Sequence, residues 1–266
     1  MRTSRHTLSS RGRRTRVLLK RVMYTQLALR SAVMIALGRE QPLVNFTVED
    51  DPPSVYLVFE LRASVVDGLS DRLGLPPGLS LAPVRCLVDD EPRYLLALNV
   101  YRVSGITNGR RAEWSVFVAE PDGPPRYMVI DARSSSRSMD PVDLFTRDSR
   151  VDHRRVGDDI TMTIGPTGRA FRATIELGGA APAENAREWV TANDRIYWSN
   201  GVCDRTFYDA GLAASAMVAV PPADVRIDDA SRWAELIDPV PVAVLVFTEA
   251  IEFVVSPWEN VDSLEA

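Results

Sequence analysis

Lysine is almost absent from this sequence of 266 residues, because 30 of its 31 basic side chains are arginine and Lys20 is the single lysine. Lysine is the side chain that forms imines with carbonyl substrates, and an arginine guanidinium, which keeps its proton, does not replace it. We therefore expect no imine chemistry at any site formed by residues 40–266.

Cysteine and histidine are also scarce, with two residues of each type. Their positions give no CxxC or HxxxH spacing, which argues against a zinc site and against a disulfide framework. One bond between Cys86 and Cys203 stays open, but two free thiols in a reducing cytoplasm are the favoured interpretation. The motifs GxGxxG and GxxxxGK[ST] are missing as well, so we expect neither a metal nor another cofactor.

Acidic residues are missing from the first 39 positions, which carry nine arginines and Lys20, although the whole chain has a net charge of −5. The remainder therefore carries a charge of about −15. This asymmetry divides the chain into a basic N-terminal arm, residues 1–41, and a single domain, residues 42–266. The acidic body opposes nucleic-acid binding, so no specific nucleic-acid partner is expected.

Within the arm, residues 1–16 have the composition of a disordered tail, and the apolar pattern over 17–37 predicts a helix that ends at Gly38. Arg30 interrupts this apolar stretch, which argues against a secretory signal and a membrane span. The favoured role is packing on the body or on a partner. Contact with a membrane surface or nucleic acid and a non-essential arm remain alternatives, and the expected location is the cytoplasm.

The body consists mainly of β-branched and aromatic runs separated by Gly, Pro and Asn turns. This pattern predicts a mostly β (α+β) fold with an antiparallel sheet that is closed or sandwiched. Predicted strands lie at 54–61, 93–103, 112–119, 126–133, 159–164 and 171–177. Helices are predicted at 63–74 and 204–220, and residues 240–259 form a strand pair or one bent strand.

Several segments, taken in order, resemble the acetoacetate decarboxylase-like superfamily. They are SVYLVFEL, RASVVDGLSDRL, LPPGLSLAPVR, YRVSG with its following NG, and the C-terminal FTEAIEFVVSPW. The similarity covers roughly residues 54–177 and 240–259, whereas 180–239 depart from the family pattern. It implies a twisted antiparallel β-barrel or cone around a central cavity, with a few peripheral helices.

The residues that perform the family's chemistry are missing at the matching positions. The two lysines of the family fall near Met139 and Asp140, and the glutamate of its Y-x-E-S-G turn falls on Val103. A further acid falls near Leu87. The resemblance therefore implies the barrel and its cavity without the imine mechanism.

The segment 126–140 is rich in polar side chains at the place where the family keeps its reactive groups. Arg133 and Arg137 are candidates for holding a carboxylate or phosphate of the substrate, and Asp140 is a candidate catalytic residue. A surface loop with ordinary arginines is the alternative.

Glu113 lies in a predicted strand, where a carboxyl group that points into a barrel would have a raised pKa and serve as a general acid or base. Tyr101 and Arg102 point to opposite faces of the preceding strand, so at most one of them shares a cavity with Glu113, and Tyr101 is the candidate for substrate binding. The alternative for Glu113 is an exposed strand charge.

Tyr208 is a third catalytic candidate, because Asp204 lies one turn before it on the predicted helix and the pair would orient a carbonyl or move a proton. A helix that merely packs, capped by Asp204, is the alternative. His153, in a charged stretch between strands, is expected to be solvated.

These observations predict a homo-oligomeric protein that binds a small keto or carboxylic acid. If it is an enzyme, it acts without a cofactor or an imine, as a lyase, cyclase or isomerase by acid–base chemistry. The alternative is a non-catalytic ligand-binding or interaction protein on the same barrel.

Overall fold

A computed structural model describes residues 44–85, 91–105, 109–135, 145–146, 150–183, 196–199, 202–208 and 217–260. The basic arm with Lys20 and its predicted helix lies outside these residues, as do Arg137 and Asp140. Within the described ranges, no helix is long and apolar enough to cross a membrane.

The described residues form one α-helix and nineteen strands, in agreement with the predicted mostly β fold. The helix is α1 (Ala63–Leu73). The strands are β1 (Val44–Val48), β2 (Ser54–Glu60), β3 (Ser80–Leu81), β4 (Val84–Arg85), β5 (Pro92–Arg93), β6 (Leu95–Gly105), β7 (Gly109–Ala119), β8 (Arg126–Ser134), β9 (Phe145–Thr146), β10 (Val151–Val156), β11 (Asp159–Ile164), β12 (Phe171–Glu176), β13 (Ala181–Pro182), β14 (Ile196–Trp198), β15 (Val202–Tyr208), β16 (Met217–Ala219), β17 (Val225–Asp229), β18 (Ala243–Phe247) and β19 (Ile251–Asn260).

Helix α1 confirms the helix predicted at 63–74. Leu69 is buried on its apolar face, and the helix ends where Gly74 adopts a left-handed conformation with φ 58°. The Gly74 N–H donates to the Asp71 carbonyl at 3.2 Å and the Leu75 N–H donates to the Ser70 carbonyl at 3.3 Å. Glycine reaches this conformation without the steric cost that a Cβ would bring, so the helix ends there.

The strands form a thirteen-stranded sheet, a four-stranded sheet and the short pair β4–β5. The large sheet has the order β13-β16-β18-β2-β6-β1-β19-β15-β14-β8-β7-β3, with β9 beside β8 and an additional pairing between β6 and β7. Most of its pairs are antiparallel, as predicted, but β14 and β9 run parallel to β8. The closed barrel stays a prediction.

The large sheet is covered by apolar side chains on both faces. On one face, Leu98 and Trp114 pack with Phe171 of the four-stranded sheet β10-β11-β12-β17. On the other face, Ala97 and Phe117 belong to a separate apolar cluster. Because successive strand residues point to opposite faces, the alternation along β6 and β7 supplies both clusters.

The helix predicted at 204–220 is wrong, because residues 202–208 and 217–219 are strands β15 and β16. β14 and β15 pair antiparallel, with Trp198 opposite Val202, across the Asn–Gly pair at 200–201. Asn–Gly between strand-forming residues is a strong hairpin signal, and it outweighs the helical spacing of the following apolar residues. At the C-terminus, 240–259 forms two strands, β18 and β19, which pair with other strands and not with each other.

His153 is buried, with 0% exposure, and not solvated as the sequence predicted. It lies on β10, which was not predicted as a strand because residues 151–156 are mostly charged. The His153 carbonyl accepts a hydrogen bond from Arg110 Nε at 2.9 Å. Burial, together with the positive charge of Arg110, lowers the pKa of His153 to about 4, whereas the backbone at Pro53 and the charge of Asp152 act more weakly in the opposite direction.

This low pKa predicts a loss of stability on acidification. A histidine titrates near pH 6.5 when unfolded, so between pH 6.5 and 4 the unfolded chain binds more protons and the free energy of unfolding falls as pH falls. The contribution of His153 is about 3 kcal/mol across this window. Urea denaturation between pH 7 and 4 should show a smaller loss for His153→Leu than for the wild type, while His6→Leu behaves as the wild type. Equal pH dependence of wild type and His153→Leu would contradict this assignment.

Candidate functional site

Strands β6 and β7 bring four polar side chains to the face of the large sheet that lies away from the four-stranded sheet. Asn99 is directly opposite Glu113, and Tyr101 is directly opposite Arg111. Tyr101 belongs to the same apolar cluster as Ala97 and Phe117, whereas Trp114, next to Glu113, points to the other face. We call Asn99, Tyr101, Arg111 and Glu113 the β6–β7 cluster.

The Tyr101 hydroxyl donates a hydrogen bond of 2.6 Å to Glu113 Oε1. Tyr101 and Glu113 are diagonal neighbours in the antiparallel pairing of β6 and β7. A tyrosine side chain is long enough to span the distance between diagonal positions. Tyr101 and Arg111 are buried, at 6% and 8% exposure, and Glu113 is half-buried. The sequence predicted a shared cavity for Glu113 and at most one of Tyr101 and Arg102, and the structure brings Tyr101 to Glu113 while Arg102 is exposed.

Burial raises the pKa of the Glu113 carboxyl, since an ionised group loses its hydration there. The Arg111 charge and the hydrogen bond from Tyr101 both act against this rise. The pKa of Tyr101 is raised well above its usual value, first by burial and then by the charge of Glu113. Tyr101 therefore keeps its proton and remains a donor, whereas Glu113 is the member of the cluster that exchanges a proton more readily.

Other polar groups lie on this face. Ser54 is opposite Phe247, Ser115 opposite Ala97, and Ser134 opposite Arg111. Together with Arg111 they make up four of the six buried polar or charged residues in the described part of the chain, the other two being Asp131 and His153. Phe117, Tyr127 and Phe247 supply apolar surface in the same cluster. A few polar groups among apolar and aromatic side chains are typical of small-molecule sites.

Asn99 has an unsatisfied acceptor in this setting. Its Oδ1 atom is buried, and no donor among the described residues lies within hydrogen-bonding distance of it. Tyr56 of β2 and Glu113 of β7 flank it in the register. Most buried side-chain acceptors in proteins have a partner, so the Asn99 amide is an unusual feature of the face that carries Glu113.

Arg133 does not share this face. It is opposite Ala112 in the register, and Ala112 belongs to the core that packs on the four-stranded sheet. Its guanidinium lies 3.5 Å from the buried carboxylate of Asp131, which Arg232 also approaches at 3.1 Å. Ala112 is adjacent to Glu113 on β7, and adjacent strand residues point to opposite faces. Arg133, opposite Ala112, therefore lies on the other side of the sheet from Glu113.

The remaining predicted site residues are not brought to the cluster by any described contact. Arg137 and Asp140 lie outside the described residues. Tyr208 is on β15, where its backbone pairs with Phe253, so the spacing of one helical turn between Asp204 and Tyr208 does not exist. The roles assigned to these residues stay predictions.

Sequence reasoning missed two members of the cluster, Arg111 and Asn99. Arg111 is two residues before Glu113, and Asn99 is two residues before Tyr101, so each shares a face with a residue that was identified. Asn99 is also the one amide inside the apolar run LLALNVYRV. A polar side chain at this position of a predicted strand could have identified it as a candidate site residue.

Metal ligation finds no support among the residues for which positions are described, because no group of three or more His, Cys, Asp or Glu side chains could hold an ion. What the β6–β7 cluster offers is a fixed positive charge at Arg111, a proton-exchanging carboxyl at Glu113 and a neutral donor at Tyr101. This combination suits the binding of an anion and the movement of a proton.

The hydrogen bond within the cluster gives a test that needs no ligand. Removing the phenol in Tyr101→Phe takes away a donor that favours the ionised carboxylate, so the pKa of Glu113 should rise above its wild-type value. Carboxyl ¹³C NMR titration of the wild type, Tyr101→Phe and the control Tyr94→Phe measures this pKa. An unchanged or lower pKa of Glu113 in Tyr101→Phe would show that the hydrogen bond does not control its protonation.

Comparison with known proteins supports the fold. No protein-family model and no curated protein matches the chain. Among solved structures, an acetoacetate decarboxylase-like enzyme from Sphingomonas wittichii RW1 is similar over 81% of this chain and 91% of that chain, with a TM-score of 0.50 and 10% sequence identity. At this identity the likeness concerns the fold alone: the chain has a mostly β fold similar to that of an acetoacetate decarboxylase-like enzyme, whereas the closed barrel and its cavity stay predictions.

Proposed function

We propose that the chain binds a small keto or carboxylic acid at the β6–β7 cluster and transforms it by acid–base chemistry without an imine, as a lyase, cyclase or isomerase. The observation that carries this proposal is the Tyr101–Glu113 hydrogen bond beside the buried guanidinium of Arg111. The family fold adds support, because a protein of this architecture is known as an enzyme.

A closed barrel is the proposed setting of the cluster. The pairings run from β6 through β1, β19, β15, β14, β8 and β7, and β7 pairs again with β6, so the path returns to its starting strand. Side chains from five of these strands, Val48, Tyr101, Phe117, Tyr127 and Ile251, belong to one apolar cluster. A common cluster of this kind is what the interior of a cone formed by these strands would contain.

Arg111 is the proposed anchor for the carboxylate of the ligand. It is buried, and its guanidinium offers a planar, cationic set of donors that matches a carboxylate. It replaces Arg133 in this role, because Arg133 lies on the other face beside Asp131. Arg137 remains a proposed second contact.

Glu113 is the proposed group that moves the proton. Burial raises the pKa of its carboxyl, which is the direction that suits a general acid or base at neutral pH. Tyr101 is proposed to hold this carboxyl in place and to donate a hydrogen bond to a carbonyl or enol oxygen as charge develops there. Asp140 and Tyr208 stay proposed catalytic residues without a described contact.

A non-catalytic ligand-binding protein is the second candidate, favoured by the apolar and aromatic side chains of Phe117, Tyr127 and Phe247 on the same face. The two candidates differ in what Glu113→Gln would do. In an enzyme this variant still binds the ligand and loses turnover, whereas in a carrier it binds the ligand and there is no turnover to lose.

The anchor can be tested by binding. Arg111→Met should weaken the affinity for acetoacetate about 10- to 100-fold, because a charge-assisted hydrogen bond contributes roughly 1.5–3 kcal/mol. Isothermal titration calorimetry measures the change. Arg172→Met is the matched control, since Arg172 is exposed and pairs with Asp228 on the four-stranded sheet. Loss of binding in Arg133→Met and not in Arg111→Met would place the ligand on the opposite face and overturn the proposal.

The absence of an imine can be tested at Lys20. Borohydride reduction in the presence of acetoacetate, followed by peptide mass spectrometry, should give no reduced adduct within residues 40–266, and Lys20→Arg should bind acetoacetate as the wild type does. A reduced adduct on Lys20, together with loss of activity in Lys20→Arg, would show that an imine forms after all.

A further inference from the structure

The unsatisfied Asn99 acceptor narrows the chemistry of the ligand. Asn99 lies between Tyr56 and Glu113 in the register and diagonal to Arg111, all on the same face of the sheet. Its Oδ1 atom is buried and has no donor from the described protein. A buried acceptor without a donor costs free energy, and such a cost is tolerated where a ligand supplies the missing hydrogen.

The neighbours of Asn99 do not supply this hydrogen themselves. The Tyr101 hydroxyl donates to Glu113 Oε1. The guanidinium of Arg111 interacts with Tyr101 and lies close enough to Glu113 to lower its pKa. None of the described donors of the cluster therefore reaches Asn99 Oδ1, which is buried on the face where the ligand is proposed to bind.

The missing donor belongs to a neutral group. A ligand ammonium at this position would face the positive charge of Arg111 in a partly buried site, where like charges repel strongly. A hydroxyl group has no such repulsion and offers one O–H donor to Asn99 while its own oxygen accepts from a neighbouring donor. The carboxylate of the same molecule would pair with Arg111.

We propose that the ligand of this site is a hydroxy acid whose hydroxyl donates a hydrogen bond to Asn99 Oδ1 while its carboxylate lies at Arg111. Asn99 is then a specificity residue that distinguishes a hydroxylated acid from one that lacks the group. The inference rests on the proposed function, because it places the ligand at the β6–β7 cluster, and it deepens that proposal by naming the substrate class.

The experiment compares two acids with the same four-carbon chain, butyrate and 3-hydroxybutyrate. Calorimetric titration should show 3-hydroxybutyrate binding the wild type about 10- to 100-fold more tightly than butyrate, since the hydroxyl satisfies a buried acceptor that butyrate leaves unpaired. In Asn99→Leu this preference should vanish, with butyrate binding at least as well as it does to the wild type. Thr163→Val, a similar change on the outer face of β11, should keep the wild-type preference.

A stability measurement separates ligand recognition from a structural role. Asn99→Leu removes an unpaired buried acceptor, so the free variant should unfold at the same temperature as the wild type or higher. A lower unfolding temperature would show that Asn99 is satisfied in the free protein, and the inference would then be wrong.

The binding results also distinguish the two proposals from each other. Equal affinity of the wild type for butyrate and 3-hydroxybutyrate would overturn the hydroxy-acid inference and leave the carboxylate site in place. Binding of both acids that Arg111→Met does not weaken, or no binding of either acid, would overturn the proposed function itself.

Discussion

The two-residue period of β6 and β7 is the constraint on which the rest of the structure depends. These two strands lie inside the large sheet, and both of their faces are covered, so every residue must suit one of two environments. Leu98, Val100 and Trp114 fill the core against the four-stranded sheet. The alternate positions carry Tyr101 and its polar neighbours. A shift of one residue in this pairing would move the polar set into the core against the four-stranded sheet and the apolar set to the opposite face, so the register is strongly specified.

This constraint also explains how much the sequence predicted. Alternation along 93–103 and 112–119 predicted β6 and β7 and, from them, that at most one of Tyr101 and Arg102 shares a cavity with Glu113, because local side-chain period determines which residues share a face. The structure selects Tyr101. The face of Arg133 could not be predicted, since it depends on the register between β7 and β8, which includes a bulge between Trp114 and Ser115. The register and bulge between two strands cannot be predicted from the sequence of either strand alone.

Other differences have the same physical origin. The segment 204–220 has apolar residues at helical spacing, but β15 gains pairing with β14 and β19, and this tertiary pairing overrides the local preference. His153 was expected in water because its neighbours Arg154 and Arg155 are charged. They are exposed, whereas His153 shares a buried face with Val151. The alternation of β10 holds over residues 151–153, and the end of the strand, residues 154–156, is exposed. The charged composition of residues 151–156 as a whole therefore did not indicate that single positions within the strand are buried.

The scarcity of lysine acquires a physical meaning beside the β6–β7 cluster. A lysine in a buried site loses its proton easily and becomes a nucleophile, whereas arginine keeps its charge and acts by hydrogen bonding alone. With Arg111 as the buried cation, its charge lowers the pKa of Glu113 against the larger rise that burial causes, and the carboxyl is the group of the cluster that exchanges a proton. The proposed chemistry then follows from this division: the cation binds and orients an acid, the carboxyl moves the proton, and Tyr101 fixes the distance between the two groups. A fold shared with an acetoacetate decarboxylase-like enzyme is thereby compatible with a reaction that forms no covalent intermediate on the chain.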